Sequence, residues 1–169
     1  MCANFKPLKR EHSYQLDLLE PTFDYKSDVY PSDDCPIILP HQNEWEWRKV
    51  KFGMLSPYAK EVSFKYATYN ARTETVDHKR SFKHAWSNDQ FGLVPVEAIY
   101  EPKYINGKAH WYGIFRQDGK PFTLAAIYEE TIIDEQKVRT MSLLTINADR
   151  HSFMKQFHKP DDEKRSIIV

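Results

Sequence analysis

Glycine is scarce in this sequence, five in 169 residues, and its scarcity bears on function as well as composition. No glycine-rich phosphate loop and no Gly-x-Ser-x-Gly elbow occurs, which argues against an α/β nucleotide binder and a serine hydrolase of that type. Cysteine is rarer still, with only Cys2 and Cys35. Neither Cys-x-x-Cys nor His-x-x-x-His spacing is present, so the seven histidines give no structural zinc site, and no metal is expected. A chain of this length buries enough surface to fold without a disulfide. Apolar runs fall well short of the roughly 20 residues of a membrane span, and the charged start at Lys6, Lys9, Arg10 and Glu11 has no apolar region behind it. A soluble, cytoplasmic protein is the expectation. A charge bias is missing too: Lys+Arg 24 balance Asp+Glu 24. There is then no global basic field to attract nucleic acid, and any such contact must be a local patch.

Aromatic residues, by contrast, are plentiful at 14%, with ten Tyr, ten Phe and four Trp, a composition that favours strands. Together with 169 residues and 20.1 kDa it points to one compact, β-rich α+β domain spanning 1–169.

The chain in order bears this out as an expectation. Leu16, Leu18 and Leu19, closed by Pro21, suggest a brief helix. Residues 25–40 read as a proline-punctuated loop entering a β-branched strand, with Cys35 as packing. Trp45 to Leu55 alternates as a strand, and Phe52 to Tyr58 follows as a turn with aromatic shoulders. Those aromatics either join the core or, if exposed beside a site, stack on bases. Val62, Phe64, Tyr66 and Thr68 alternate as a strand that delivers Asn70 to Thr75 at its exit; that polar cluster is either a site or a turn and cap.

Ser81 reads as the N-cap of a short helix carrying Phe82, Ala85 and Trp86. Phe91 to Pro102 is an apolar strand in which Pro95 predicts an edge or a bulge. Glu101 sits there in apolar company, either paired and structural or with a raised pKa suited to acid work. Asp118-Gly119 predicts a hairpin pairing 110–116 with 122–128. Val138 to Asn147 is a further strand, Asp149 a helix cap ahead of Phe153, Met154 and Phe157, and Arg165 to Val169 a last strand. His158 just beyond that helix is accounted for equally well by the helix dipole and by a role in a site.

The first two residues add a chemical possibility. A small second residue allows Met1 to be removed, exposing Cys2 with an amine and a thiol on adjacent carbons. The amine titrates at about 7.7–8.0 and the thiol at about 8.5, so both are partly nucleophilic near neutrality. With an aldehyde the amine forms a Schiff base, and the thiol closes it to a five-membered thiazolidine. A lone second-position cysteine can equally be incidental, so the rest of the chain must supply a site.

Five segments occurring in order carry a resemblance: Cys2; Asn70-Ala71-Arg72-Thr73-Glu74-Thr75; Leu93-Val94-Pro95 with Tyr100-Glu101; Pro121-Phe122 with Ala125 and Tyr128-Glu129; and Thr145-Ile146-Asn147-Ala148. Together they resemble the SRAP family, the SOS-response-associated peptidases or abasic-site processing proteins, over most of the chain. The resemblance implies a fold of curved mixed and antiparallel sheets with a few peripheral helices. It implies a protein, nucleoid-associated when bound and acting as a monomer, that captures the ring-opened aldehyde of an abasic site in single-stranded DNA as a covalent thiazolidine on Cys2, without a cofactor. Asn70 would hold the cysteine end and the sugar, Glu101 would be the active-site glutamate, and His158 would help open the sugar as acid or base. Arg72 and Arg165 would contact phosphate, with Phe52 and Tyr58 stacking on bases.

The sequence departs from the family pattern in several places. Met-Cys-Gly-Arg is here Met1-Cys2-Ala3-Asn4, Phe52-Gly53-Met54-Leu55-Ser56-Pro57 replaces a Trp-Gly-Leu-Ile-Pro segment, and Ala98 and Pro102 replace a glycine and a tryptophan around Glu101. The final His-x-Arg-Met-Pro motif is split, with residues 159–164 between His158 and Arg165, which predicts a displaced His158. The chain also ends where relatives continue, which predicts a shortened member whose last strand lacks a neighbour. Two other classes remain open: a thiol peptidase with Cys2 as nucleophile and His158 as base, and a non-catalytic module binding single strands or protein.

Overall fold

The computed structural model describes residues 2–64 and 67–169. Nine strands run through them: β1 (Phe5–Pro7), β2 (Asp34–His41), β3 (Glu44–Phe52), β4 (Asn70–Arg72), β5 (Phe91–Ile105), β6 (Lys108–Ile114), β7 (Phe122–Ile133), β8 (Gln136–Asn147) and β9 (Arg165–Ile167). One short helix, α1 (Lys83–Ser87), and 3-10 turns at Arg10–Leu16 and Met154–Gln156 lie outside the sheet.

The pairing closes on itself. β5 pairs with β2, β2 with β3, β3 with β8, β8 with β7, and β7 returns to β5, so five strands form a barrel. Closure removes the open edges that a flat sheet would leave. Phe5, Val29, Ile37, Val50, Phe52, Val94, Leu124, Met141 and Leu143 fill the interior. A second cluster, with Val76, Ala85, Ile127 and Leu144, packs α1 against the outside. The β-rich α+β fold with few helices is therefore the one the sequence predicts.

Three two-residue turns shape the sheet. Gln42-Asn43 joins β2 to β3, Asn106-Gly107 joins β5 to β6, and Asp134-Glu135 joins β7 to β8. Both residues of each have positive φ, from +48° to +76°. This is the left-handed pair that matches strand twist in tight hairpins.

Asp118-Gly119 does turn the chain, with the Gly119 amide donating to the Arg116 carbonyl at 3.0 Å, but it does not pair its flanking strands. β6 lies along Ile99–Ile105 of β5 and β7 along Phe91–Val96 of the same strand. The Asn-Gly turn upstream has already folded β6 onto β5, which leaves β7 the remaining length of that edge.

Other expectations are corrected locally. Pro95 is not at an edge, since it lies opposite Thr123 of β7, but the irregularity expected beside it is there: the β1–β5 register shifts between Val96 and Ala98. Ser81 makes no side-chain cap, the helix starting after Phe82. Asp149 caps no helix. It accepts the Lys164 amide, while His151 Nδ1 accepts the Phe153 and Met154 amides ahead of a single 3-10 turn, and Phe153 is exposed. The strand predicted over 62–68 falls partly outside the described residues at Lys65 and Tyr66; Val62 and Phe64 are in no strand, and β4 begins at Asn70. The last strand has a neighbour, since β9 pairs antiparallel with β8 over Thr145–Asn147. Leu18 and Leu19 follow the first 3-10 turn, and Leu19 is exposed.

Candidate functional site

β1 carries the N-terminal segment along β5, and this pairing buries Cys2 at 1% exposure beside the barrel core. The Cys2 thiol donates to the Asn4 carbonyl at 3.2 Å, and its own carbonyl accepts the Asn70 amide Nδ2 at 2.7 Å. Asn70 is positioned by β4, which runs parallel to β8 with Asn70 opposite Leu143 and Arg72 opposite Thr145. That pairing explains physically why the Asn70–Thr75 and Thr145–Ala148 segments belong together. Asn70 Oδ1 is buried and has no hydrogen-bond partner among the described residues.

Glu101 projects from β5 and is 2% exposed. Burial raises its carboxyl pKa to about 7, and the Glu101 charge in turn is one reason, after burial, that the Cys2 thiol is pushed well above its ordinary range. His158 is not displaced. Its amide donates to the Pro102 carbonyl at 2.7 Å, which pins it to β5, and its ring Nδ1 comes within 3.4 Å of Glu101 Oε2.

The tautomer follows from the other ring nitrogen. His158 Nε2 lies 3.1 Å from the Arg165 carbonyl, which can only accept, so Nε2 carries the hydrogen and neutral His158 presents a lone pair at Nδ1 to Glu101. Burial lowers the His158 pKa while it raises that of Glu101. Both directions favour the uncharged forms, a neutral His158 and a Glu101 carboxyl that keeps its proton below about pH 7. Glu101 Oε2 is buried and makes no hydrogen bond that meets ordinary geometry among the described residues.

Residues 159–164, inserted between His158 and Arg165, loop outward and leave His158 in place, because both ends are tied: His158 to β5, and the Lys164 carbonyl to the Ala148 amide at 2.7 Å. A cleft of about 440 Å³ opens over His158, lined among others by Arg72, Tyr104, Glu163 and Arg165. A groove between Lys6, Lys9, Glu97 and Phe115 is slightly larger at about 500 Å³, but none of Cys2, Asn70, Glu101 and His158 lines it. Of those four residues, His158 lines the cleft named for it, and the other three lie buried beneath.

The residues expected to grip DNA divide. Arg72 is half-exposed at the cleft, with its Nη1 2.7 Å from Glu163 Oε2. Arg165 is 2% exposed and held on both terminal nitrogens: Glu74 takes it at 2.9 and 2.8 Å, Glu163 at 3.0 Å and the Thr145 carbonyl at 2.8 Å, while its buried Nε has no hydrogen-bond partner among the described residues. It is a strut between β8, β9 and the 70–75 segment, and the phosphate contact expected of it is corrected to a structural one. Glu74, its partner, is held well below the ordinary carboxylate range, to about 2, chiefly by that hydrogen bond. Phe52 is fully buried, packed edge-on to Phe5 and Tyr69, and has no face to offer a base. Tyr58 is 83% exposed, though it does not line the cleft. Asn4, standing where an arginine was noted as missing, turns inward and donates to the Val29 carbonyl at 3.1 Å.

Glu163 is the cleft residue that sequence reasoning overlooked. The signal was the acidic run at 161–163 inside the split motif. Glu129, part of another motif segment, is buried under α1 with His84 Nδ1 at 2.7 Å, away from Cys2.

Comparison with known proteins follows the same lines. Residues 1–161 match the model of the family described as SOS response associated peptidase (SRAP). The chain is similar to two Bacillus subtilis proteins named abasic site processing proteins. To YoaM it is 24% identical over 86% of this chain and 64% of that protein, and to YobE 25% identical over 79% of this chain and 62% of that protein. It thus spans less than two thirds of the length of either relative. Among solved structures, a protein from Bordetella bronchiseptica superposes with a TM-score of 0.92 at 27% identity, covering 99% of this chain and 83% of that one. A protein from Bacteroides thetaiotaomicron superposes with a TM-score of 0.78 at 17% identity over 99% of this chain and 77% of that one, a likeness of fold.

Proposed function

Because the chain belongs to the SOS response associated peptidase family, we propose that it processes abasic sites, capturing the lesion in single-stranded DNA through Cys2 once Met1 has been removed. The names of the relatives support the lesion, and the observation that carries the chemistry is the buried group of Cys2, Glu101 and His158 under a cleft bordered by Arg72.

An abasic deoxyribose is mostly a closed ring, so its aldehyde must first be freed. Protonated Glu101 gives a proton to the ring oxygen, and the neutral His158 lone pair at Nδ1 receives the proton relayed from the sugar hydroxyl. The upward push on the thiol favours one order of attack. A buried thiol that stays protonated is a weak nucleophile, so the uncharged α-amine of Cys2 attacks the aldehyde first. Loss of water gives the imine. The thiol adds across the C=N bond, sulfur to carbon and its proton to nitrogen, and the thiazolidine is complete with one water released overall. Asn70 holds the Cys2 carbonyl throughout, which keeps amine and thiol on the same side of the incoming carbon.

The same thiol argues against a peptidase mechanism in which Cys2 acts as a preformed thiolate, since burial and the Glu101 charge both oppose ionisation. Incubation of the untagged protein with an abasic single-stranded oligonucleotide tests the reading. A denaturation-resistant protein–DNA species whose adduct maps to Cys2 by mass spectrometry is the expected result. A band that forms only with borohydride, or an adduct elsewhere, overturns it.

A further inference from the structure

Glu163 occupies a position that explains why this chain carries six residues between His158 and Arg165. One carboxylate oxygen, Oε1, accepts from Asn147 Nδ2 at 3.1 Å and Arg165 Nη1 at 3.0 Å; the other, Oε2, faces Arg72 Nη1 at 2.7 Å. Two oxygens collecting donors from two arginines and an amide make the arrangement a DNA phosphate would make at the mouth of this cleft. The carboxylate is kept ionised, its pKa lowered first by the Asn147 hydrogen bond. The rim that presents it is held in shape: the Lys164 amide donates to Asp149 Oδ1 at 2.9 Å, and the Asp162 amide to the Lys159 carbonyl at 3.1 Å. Of the two arginines, Arg165 is locked by Glu74 whatever Glu163 does, but Arg72 is half-exposed, and Glu163 is its partner at the cleft.

We propose that Glu163 is an internal phosphate surrogate, a competing carboxylate that a backbone phosphate must displace from Arg72 before single-stranded DNA seats in the cleft. The proposal rests on the DNA-processing reading above and adds its control. A strand entering the cleft exchanges one anion for another at Arg72 and gains little net charge neutralisation there. Affinity is thereby held down for strands that make no other contact, while a lesion captured covalently at Cys2 outlasts the competition. The loop is thus an attenuator of non-specific binding.

Binding of an unmodified single-stranded oligonucleotide, which involves no crosslink, tests this by fluorescence anisotropy across a salt series. Glu163→Gln keeps shape and removes the charge. Its affinity is expected to rise about two- to fivefold, the range of an exposed ion pair, with a salt slope steeper by up to about 0.7, the single-strand value per phosphate neutralised. Asp161→Asn removes the same charge from the same rim and is expected to give a clearly smaller gain. In an Arg72→Ala background the Glu163→Gln gain should vanish. Equal gains from Glu163→Gln and Asp161→Asn would reduce the effect to general electrostatics and overturn the surrogate, as would an undiminished gain without Arg72. If wild type crosslinks abasic DNA while Glu163→Gln binds no better than wild type, the surrogate fails and the DNA reading stands. If neither protein binds or crosslinks DNA, both fail.

Discussion

At the scale of single residues, the proton on Glu101 links function to stability. A carboxyl raised from 4.5 to about 7 is protonated over the range in which the Cys2 amine begins to lose its proton. Crosslinking should therefore follow a bell-shaped pH profile, rising as the amine deprotonates and falling as Glu101 ionises. Glu101→Gln, which cannot pass a proton, should slow crosslinking by about 10²–10⁴-fold and remove the alkaline limb. A wild-type profile would make Glu101 structural. Stability follows the same proton in the same direction. The folded state binds this proton more tightly than the unfolded chain, so its contribution is complete below about pH 4 and lost as pH rises to about 7. Above that, a buried carboxylate costs the fold on the order of 2–4 kcal/mol. Gln escapes that penalty, and thermal melts should show Glu101→Gln more stable than wild type at pH 8 and close to it at pH 4.

At the scale of elements, the sheet depends on tight turns that the sequence announces unevenly. Asn106-Gly107 carries the strongest chemical signature of a two-residue hairpin, yet Asp118-Gly119 looks the same in sequence and joins no pair. Dipeptide chemistry reports local φ; which strands meet is settled by how much of β5 remains unpaired. Gln42-Asn43 and Asp134-Glu135 carry a weaker signature, because Asn43 and Asp134 enter the left-handed region readily while Gln42 and Glu135 do so only under the pull of the flanking ladders. Glu135, at φ +61°, bears this strain directly, so Glu135→Gly should stabilise the fold by about 0.5–1 kcal/mol in urea melts, with unchanged crosslinking. A loss of stability would mean that the glutamate side chain contributes contacts exceeding its backbone strain. Long alternating strands such as β3, β5 and β8 were legible in the sequence because their burial alternates or is sustained. The last strand, read over Arg165 to Val169, is present as β9, whereas the short β1 and β4 owe their existence to neighbours far away in the chain, and no periodicity of three residues can reveal that.

At the scale of the whole molecule, barrel closure gathers residues 2, 70, 101 and 158 from four distant segments, and composition cannot foresee such a meeting. Cys2, Glu101 and His158 were each legible as open alternatives from their own chemistry, and the motif resemblance was what joined them into one site with Asn70. Burial then separated them from the supposed DNA contacts: arginine and phenylalanine look alike in sequence whether they face a ligand or, like Arg165 and Phe52, the interior. The same burial governs the N-terminus. Cys2 is at 1% exposure with its carbonyl held by Asn70, so the reactive end is fixed by the barrel itself, and its chemistry demands both a free amine and a thiol. Cys2→Ser retains the amine and should give a transient Schiff base that borohydride traps, without a stable crosslink. A short N-terminal tag retains the thiol but commits the amine to a peptide bond, and should abolish the stable crosslink as well, even where far-UV circular dichroism and melting show an intact fold. Cleaving that tag to leave Cys2 first in the chain should restore crosslinking. If the tagged, folded protein crosslinks abasic single-stranded DNA as fast as the cleaved one, the thiol acts without the amine and the thiazolidine mechanism is wrong.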